Sequence, residues 1–124
     1  MRLLVCGGRS YGFTAAERSA LFEAIAALKP TLIIHGDAPG ADSVADKWAK
    51  VHGVPRERYP AQWRKPGGGI DYSAGPRRNA LMLEAGKPDA VLAAPGGKGT
   101  ANMVSLARAA GVRVYTFETI KDIT

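Results

Sequence analysis

Short apolar runs alternate with amphipathic stretches along the whole chain. Leu3-Leu4-Val5-Cys6 is continuously apolar, the pattern of a strand covered on both faces. Thr14-Ala15-Ala16-Glu17 has the form of a capping box and opens a helix with an apolar stripe at Leu21, Ala24, Ile25 and Leu28, ended by Lys29-Pro30. Thr31-Leu32-Ile33-Ile34-His35 reads as a second strand. The helix after it buries Ala41, Val44, Ala45, Trp48 and Val51 and stops at His52-Gly53, where glycine suits a left-handed cap. Val54 to Pro60 forms a short strand whose Arg56-Glu57-Arg58 centre is too polar for a sheet interior and belongs at an edge. Ala61 to Gly75 is irregular and polar. Pro76 starts a third helix carrying Asn79 to Ala85, with Gly86-Lys87-Pro88 as its stop. Asp89 to Ala94 is again a buried strand, and Met103, Leu106, Ala107 and Ala110 mark a fourth helix. Val112 to Phe117 is the last strand.

This strand–helix alternation predicts an α/β fold, a doubly wound parallel sheet of about five strands with helices on both faces. The length, 124 residues, suits a single domain over 1–124. Ligands of such sheets lie beyond the carboxyl ends of the strands, at the point where strand order reverses. Three turns leave those ends, and all are rich in glycine: Gly7-Gly8-Arg9-Ser10, Gly36-Asp37-Ala38-Pro39-Gly40-Ala41-Asp42, and Pro95-Gly96-Gly97-Lys98-Gly99-Thr100. The turns at the other end, at Lys29-Pro30, Gly53 and Lys87-Pro88, are plain helix stops. The asymmetry itself points to a site.

The third turn joins a buried strand to a helix. Free backbone amides and the positive end of the helix dipole make such a junction an anion site. Its glycines admit a phosphate close to the backbone, Lys98 adds charge, and the Thr100 hydroxyl can cap the helix or donate to an oxygen. It lacks the G-x-x-x-x-G-K-[ST] spacing of a P-loop. Arg9, at the tip of the first strand, can grip a phosphate with its fork of donors. Arg78 lies in the first turns of a helix at the same rim, and Asp42 can accept from ribose hydroxyls or orient an arginine.

Composition adds limits. The net charge of +6 favours anionic partners, but no run of five basic residues exists, and a phosphate pocket fits the dispersed charge at least as well as a nucleic-acid stripe. One cysteine, Cys6, allows no intrachain disulfide and is compatible with a cytoplasmic protein. No signal peptide opens the chain and no apolar run spans a bilayer, so no membrane partner is expected. No residues have metal-ligand spacing. His35 can act as acid or base but equally as a satisfied strand-end residue; Cys6 reads as core. The 61–75 segment reads as a flap beside the site or as a passive surface loop; within it Trp63 and Tyr72 flank the flexible Arg64 to Gly69 loop and can stack on a base or simply pack.

Gly7-Gly8-Arg9, His35 to Asp42, Gly75-Pro76-Arg77-Arg78-Asn79 and Pro95 to Thr100, in this order, resemble the YspA-type, cpYpsA-related branch of the SLOG superfamily, named for the Smf/DprA and LOG proteins. The resemblance runs from Leu3 to about Val114 and rests on a Pro-Gly-Gly-x-Gly-Thr motif. It implies a Rossmann-like fold that binds nucleotides or nucleotide-derived small molecules of the ADP-ribose or NAD type. It carries Gly8, Arg9, Gly36, Gly40, Asp42, Arg78, Asn79, Gly96, Gly97, Gly99 and Thr100 over as site residues, and a homodimer as assembly. Some relatives hydrolyse the N-glycosidic bond of nucleoside monophosphates with a glutamate three residues after the motif. Met103 stands there, and a thioether cannot replace that acid. Catalysis would need Asp42 or Asp71, with Arg78 for the phosphate. A single-stranded DNA binder, as among DNA-processing relatives, is the third and less favoured reading.

Overall fold

The computed structural model describes residues 1–123. Its elements are β1 (Arg2–Cys6), α1 (Ala15–Leu28), β2 (Leu32–His35), α2 (Ala41–His52), β3 (Arg56–Arg58), α3 (Ala74–Gly86), β4 (Ala90–Ala93), α4 (Lys98–Ala109), β5 (Arg113–Tyr115) and α5 (Phe117–Ile120), then a 3₁₀ turn at Lys121–Ile123. The five strands form one sheet in the order β3-β2-β1-β4-β5, every pair parallel. The order reverses at β1, where Leu4 pairs with Ile34 on one side and Val91 on the other.

The apolar strands divide their side chains between two layers, as a period of two requires. Leu3, Val5, Ile33 and Leu92 pack beneath α1, α2 and α5, against Leu21, Ile25, Ala45, Trp48 and Ile120. Leu4, Cys6, Ile34, Val91 and Ala93 face α3 and α4, against Met82, Met103 and Ala107. The polar β3 lies at one edge, as its composition predicts. The capping box of α1 is present in full, with Thr14 Oγ1 accepting from the Glu17 amide and Glu17 accepting from the Thr14 amide. Gly53 caps α2 at φ 65°.

Several local expectations are corrected. Val51 is 65% exposed while Ala49 is buried. At 100° per residue, Val51 lies about 100° around α2 from the centre of the buried face. Ala110 is the exposed C-cap of α4 and not part of its apolar stripe. α3 begins at Ala74, two residues before Pro76, because a first-turn position lacks an intrahelical acceptor for its N–H and tolerates the proline ring. Thr100 does not cap α4; the N-cap is Gly97. The 61–75 segment is not wholly irregular. It contains a small hairpin, with an antiparallel bridge between Arg64 and Ile70 and Asp71 N donating to Trp63 O at 2.7 Å. Among the described residues, no helix is long and apolar enough to cross a membrane.

Candidate functional site

One residue joins the three glycine turns. Gly8 N donates to Pro95 O at 2.8 Å, and Gly8 O accepts from Ala41 N at 3.1 Å. The β1–α1 turn is thereby fastened to the turns after β2 and β4. Gly40 permits the approach: its φ is 82°, and a Cβ there would run into the Gly8 and Arg9 carbonyls. Gly96 is equally enclosed, facing Gly8 N and the Thr100 hydroxyl.

α3 closes the ring from the other side. Arg78 Nη1 donates to Gly36 O at 2.6 Å and its Nε to Asn79 Oδ1 at 3.0 Å. Buried Asn79 in turn donates from Nδ2 to Gly99 O (3.2 Å) and Asn102 Oδ1 (3.0 Å). Asp42, also buried, accepts from both Gly36 N and Ala38 N through Oδ2 alone. Burial pushes its carboxyl above the ordinary carboxylate range, although those amides and the charge of Arg78 oppose the shift. Arg78 is held below its ordinary value, chiefly by burial.

Within this ring lies a cavity of about 420 Å³ at the carboxyl end of the sheet, in the size range of small-molecule sites. Of the residues singled out in the sequence, Gly7, Gly8, Arg9, Asp42, Arg78, Asn79, Gly97, Lys98, Gly99 and Thr100 line it, as do Trp63 and Tyr72. Gly36, Ala41, Pro95 and Gly96 do not: Ala41 and Pro95 bind Gly8 through their backbones, Gly36 binds Asp42 and Arg78, and Gly96 packs against Gly8. Ser10 and Gly40 instead line a shallower neighbouring groove of about 720 Å³ beside α1 and α2, which shares only Arg9 with the cavity. Asp37 lies outside as well, its amide bound to His35 Nδ1 at 2.9 Å. Asp71 is not in the cavity wall either. It accepts from Ser73 N and Oγ and pairs with Arg77, which fastens the start of α3.

His35 is not an available acid or base. It is 1% exposed; its Nδ1 accepts from the Asp37 amide, so Nε2 carries the proton and donates to Asp46 Oδ1 at 2.8 Å. Cys6 reaches the cavity floor, but burial, with the charge of Asp42 beside it, pushes its thiol up to about 12, far from a thiolate nucleophile. Among the described residues no group of acidic, histidine or cysteine side chains could hold a metal. The sequence reading missed Met82, Gly75 and Asn102 as cavity residues. Asn102 had one visible signal, since it lies three residues after Gly99 and so shares a helix face with it.

The α4 amino end carries no side-chain cap, so its first-turn amides lack an internal acceptor, and Gly97 to Thr100 line the cavity. Arg9, Arg78 and Lys98 stand around it against the single carboxylate of Asp42. Sheet, switch point and cavity define a Rossmann-like α/β protein with an anion-favouring pocket at the carboxyl rim.

Comparison with known proteins narrows that class. The model of the YspA, cpYpsA-related SLOG family matches residues 1–65. The Gene 61 protein of Mycobacterium phage D29 is 32% identical over 128 aligned positions, covering 94% of this chain and 95% of the phage protein. The chain belongs to the YspA, cpYpsA-related SLOG family. Its fold is also similar to the crystal structure of Acinetobacter baumannii MurG, with a TM-score of 0.55 at 15% identity over 93% of this chain. The chain spans only about a third of that protein, 34%, and the likeness is one of fold.

Proposed function

We propose that the cavity binds a nucleotide or nucleotide-derived small molecule of the ADP-ribose or NAD type through its phosphate groups. One observation carries the reading: the uncapped amino end of α4, Arg9, Arg78 and Lys98 all line the same 420 Å³ space. Backbone amides and a helix dipole stabilise an anion there without a dedicated side-chain cage. Gly97 and Gly99 have no protein atom within 4 Å of where a Cβ would stand, so a phosphate meets bare backbone.

A ligand at a hundred times its Kd adds about 2.7 kcal/mol to stability. For a chain of 124 residues that raises Tm by roughly 10 °C. Thermal melts against mono- and dinucleotides, ADP-ribose and NAD test the reading directly. It predicts a dose-dependent rise with at least one phosphate-bearing nucleotide, reduced in Arg9→Ala. A flat response across the panel would refute it.

Asp42 favours a second reading, N-glycosidic cleavage of a nucleoside monophosphate. It is the one acidic residue in the cavity wall, and burial raises its pKa above the ordinary carboxylate range. Met103, 1% exposed, fills the position of the relatives' glutamate from the cavity floor. Release of free base from AMP, absent in Asp42→Asn, would establish that reading. The family resemblance also carries a homodimer, which a native mass of twice the single chain would show.

A further inference from the structure

Trp63 has no place in the core. Trp48 is 5% exposed and packs beneath the sheet, whereas Trp63 is 37% exposed on the hairpin beside the cavity. It is nevertheless held. The tip of its indole lies 3.1 Å from where a Cβ of Gly75 would stand, so the absence of a side chain at Gly75 lets the ring rest on the first turn of α3. Its carbonyl accepts from Asp71 N, and Asp71 is itself fixed by Ser73 and Arg77. The Arg9 guanidinium lies over the ring, 5.5 Å from its centroid. Arg9 is rooted next to Gly8, whose amide binds Pro95 O at the edge of the α4 turn. One arginine therefore has its backbone at the anion end of the cavity and its head on an aromatic platform.

Resting on the phosphate-binding reading above, we infer that Trp63 is the platform for the planar base of a nucleotide, and that Arg9 exchanges places with it. The heterocycle takes the indole face that the guanidinium covers in the free protein. The guanidinium turns to the phosphate held at Gly97–Thr100, exchanging a cation–π contact for charge-assisted hydrogen bonds. The ligand class is a base-bearing nucleotide; a sugar phosphate lacking the base satisfies only the anion end.

Two probes separate the ends: AMP and ribose 5-phosphate, titrated calorimetrically into the intact chain. Stacking on an aromatic side chain is worth enough for about a tenfold change. The parent protein should bind AMP about tenfold more tightly than ribose 5-phosphate. Trp63→Leu should lose that advantage while holding ribose 5-phosphate within twofold, and Trp63→Phe should recover most of it. AMP should also quench the emission of the parent, in which Trp63 is the exposed member of two tryptophans, and ribose 5-phosphate should not. Trp63→Leu binding AMP as the parent does, or losing both probes equally, would overturn the base platform, as would unchanged emission at saturating AMP. Binding of neither probe to the parent would instead remove the phosphate reading on which it rests.

Discussion

Replacing Gly40 and Gly97 separately with alanine tests whether some glycines of this rim serve the fold and others the ligand. Gly40 sits at φ 82° and ψ −128°, a conformation that costs a residue with a side chain about 1–3 kcal/mol. Its new methyl would also stand within 2.6 Å of the Arg9 carbonyl oxygen, closer still to that of Gly8, and neither is a flexible side chain that can turn aside. Relief requires the first two turns to part, which stretches the 3.1 Å bond from Ala41 N to Gly8 O, a further ~1 kcal/mol. The total is about 3 kcal/mol, or a fall in Tm of roughly 10 °C for this length. Gly97 is the opposite case, since a methyl there meets no protein atom within 4 Å. Gly97→Ala should melt within about 2 °C of the parent and bind a phosphate-bearing nucleotide at least ~10-fold more weakly, its methyl standing at the α4 amino end where the anion would approach. Circular-dichroism melts and calorimetric titration of both variants decide the matter. A Gly40→Ala protein as stable as the parent, or a Gly97→Ala protein as damaged as Gly40→Ala, would refute the division of labour.

Other expectations concern the buried polar groups. Asp42 has a raised folded-state pKa, so the folded chain holds that proton longer than the unfolded chain, and stability falls as pH rises from about 3.8 through the folded value. Because both amides use Oδ2, an asparagine oxygen can replace it. Asp42→Asn should match the parent in acid and exceed it at pH 8 in urea unfolding, and a less stable variant at pH 8 would disprove this. At Asp46, burial raises the pKa, but the hydrogen bond from His35, with the charge of Arg56 and the hydrogen bond from Lys50, outweighs it and leaves the group lowered. Its contribution is present above the ordinary carboxylate range and lost as pH falls through the folded value. Asp46→Ala strands the buried His35 N–H and should cost about 1–3 kcal/mol at pH 7, read from the same unfolding curves. Cys6, with its thiol pushed up to about 12, should resist thiol reagents at pH 8 until denaturant is added; rapid native labelling would contradict its burial.

The strand and helix order was legible because each apolar run in this chain is doubly covered. Leu3 and Val5 serve one layer and Leu4 and Cys6 the other, so no position can be polar and the run stands out. The rim was legible because glycine collects at one end of the sheet only. What the chain could not display is which glycine does what. Gly36 lies under the Arg78 guanidinium, Gly40 against the Gly8 and Arg9 carbonyls, and Gly96 against Gly8 N, each partner distant in sequence. The site residues inferred from turn composition alone therefore included several that hold loops together and face no cavity. Asp71 lies outside the cavity wall for a local reason: its partners Ser73 and Arg77 are close in sequence, and an acidic residue just before a helix fixes that helix's start as readily as it serves chemistry.

Within the single stretch Pro95 to Thr100 both kinds of glycine occur. Gly96 is enclosed by protein, while Gly97 and Gly99 face open space. The enclosed glycines let Gly8 bind two other turns at once, and that closure keeps the open ones exposed and in place. A glycine-rich turn after a parallel strand is therefore not a site by its composition. On the phosphate-binding reading proposed above, it becomes one where close backbone contacts elsewhere fix its conformation without covering its amides, and in this chain Gly8, bonded through both its N–H and its carbonyl to the neighbouring turns, supplies those contacts.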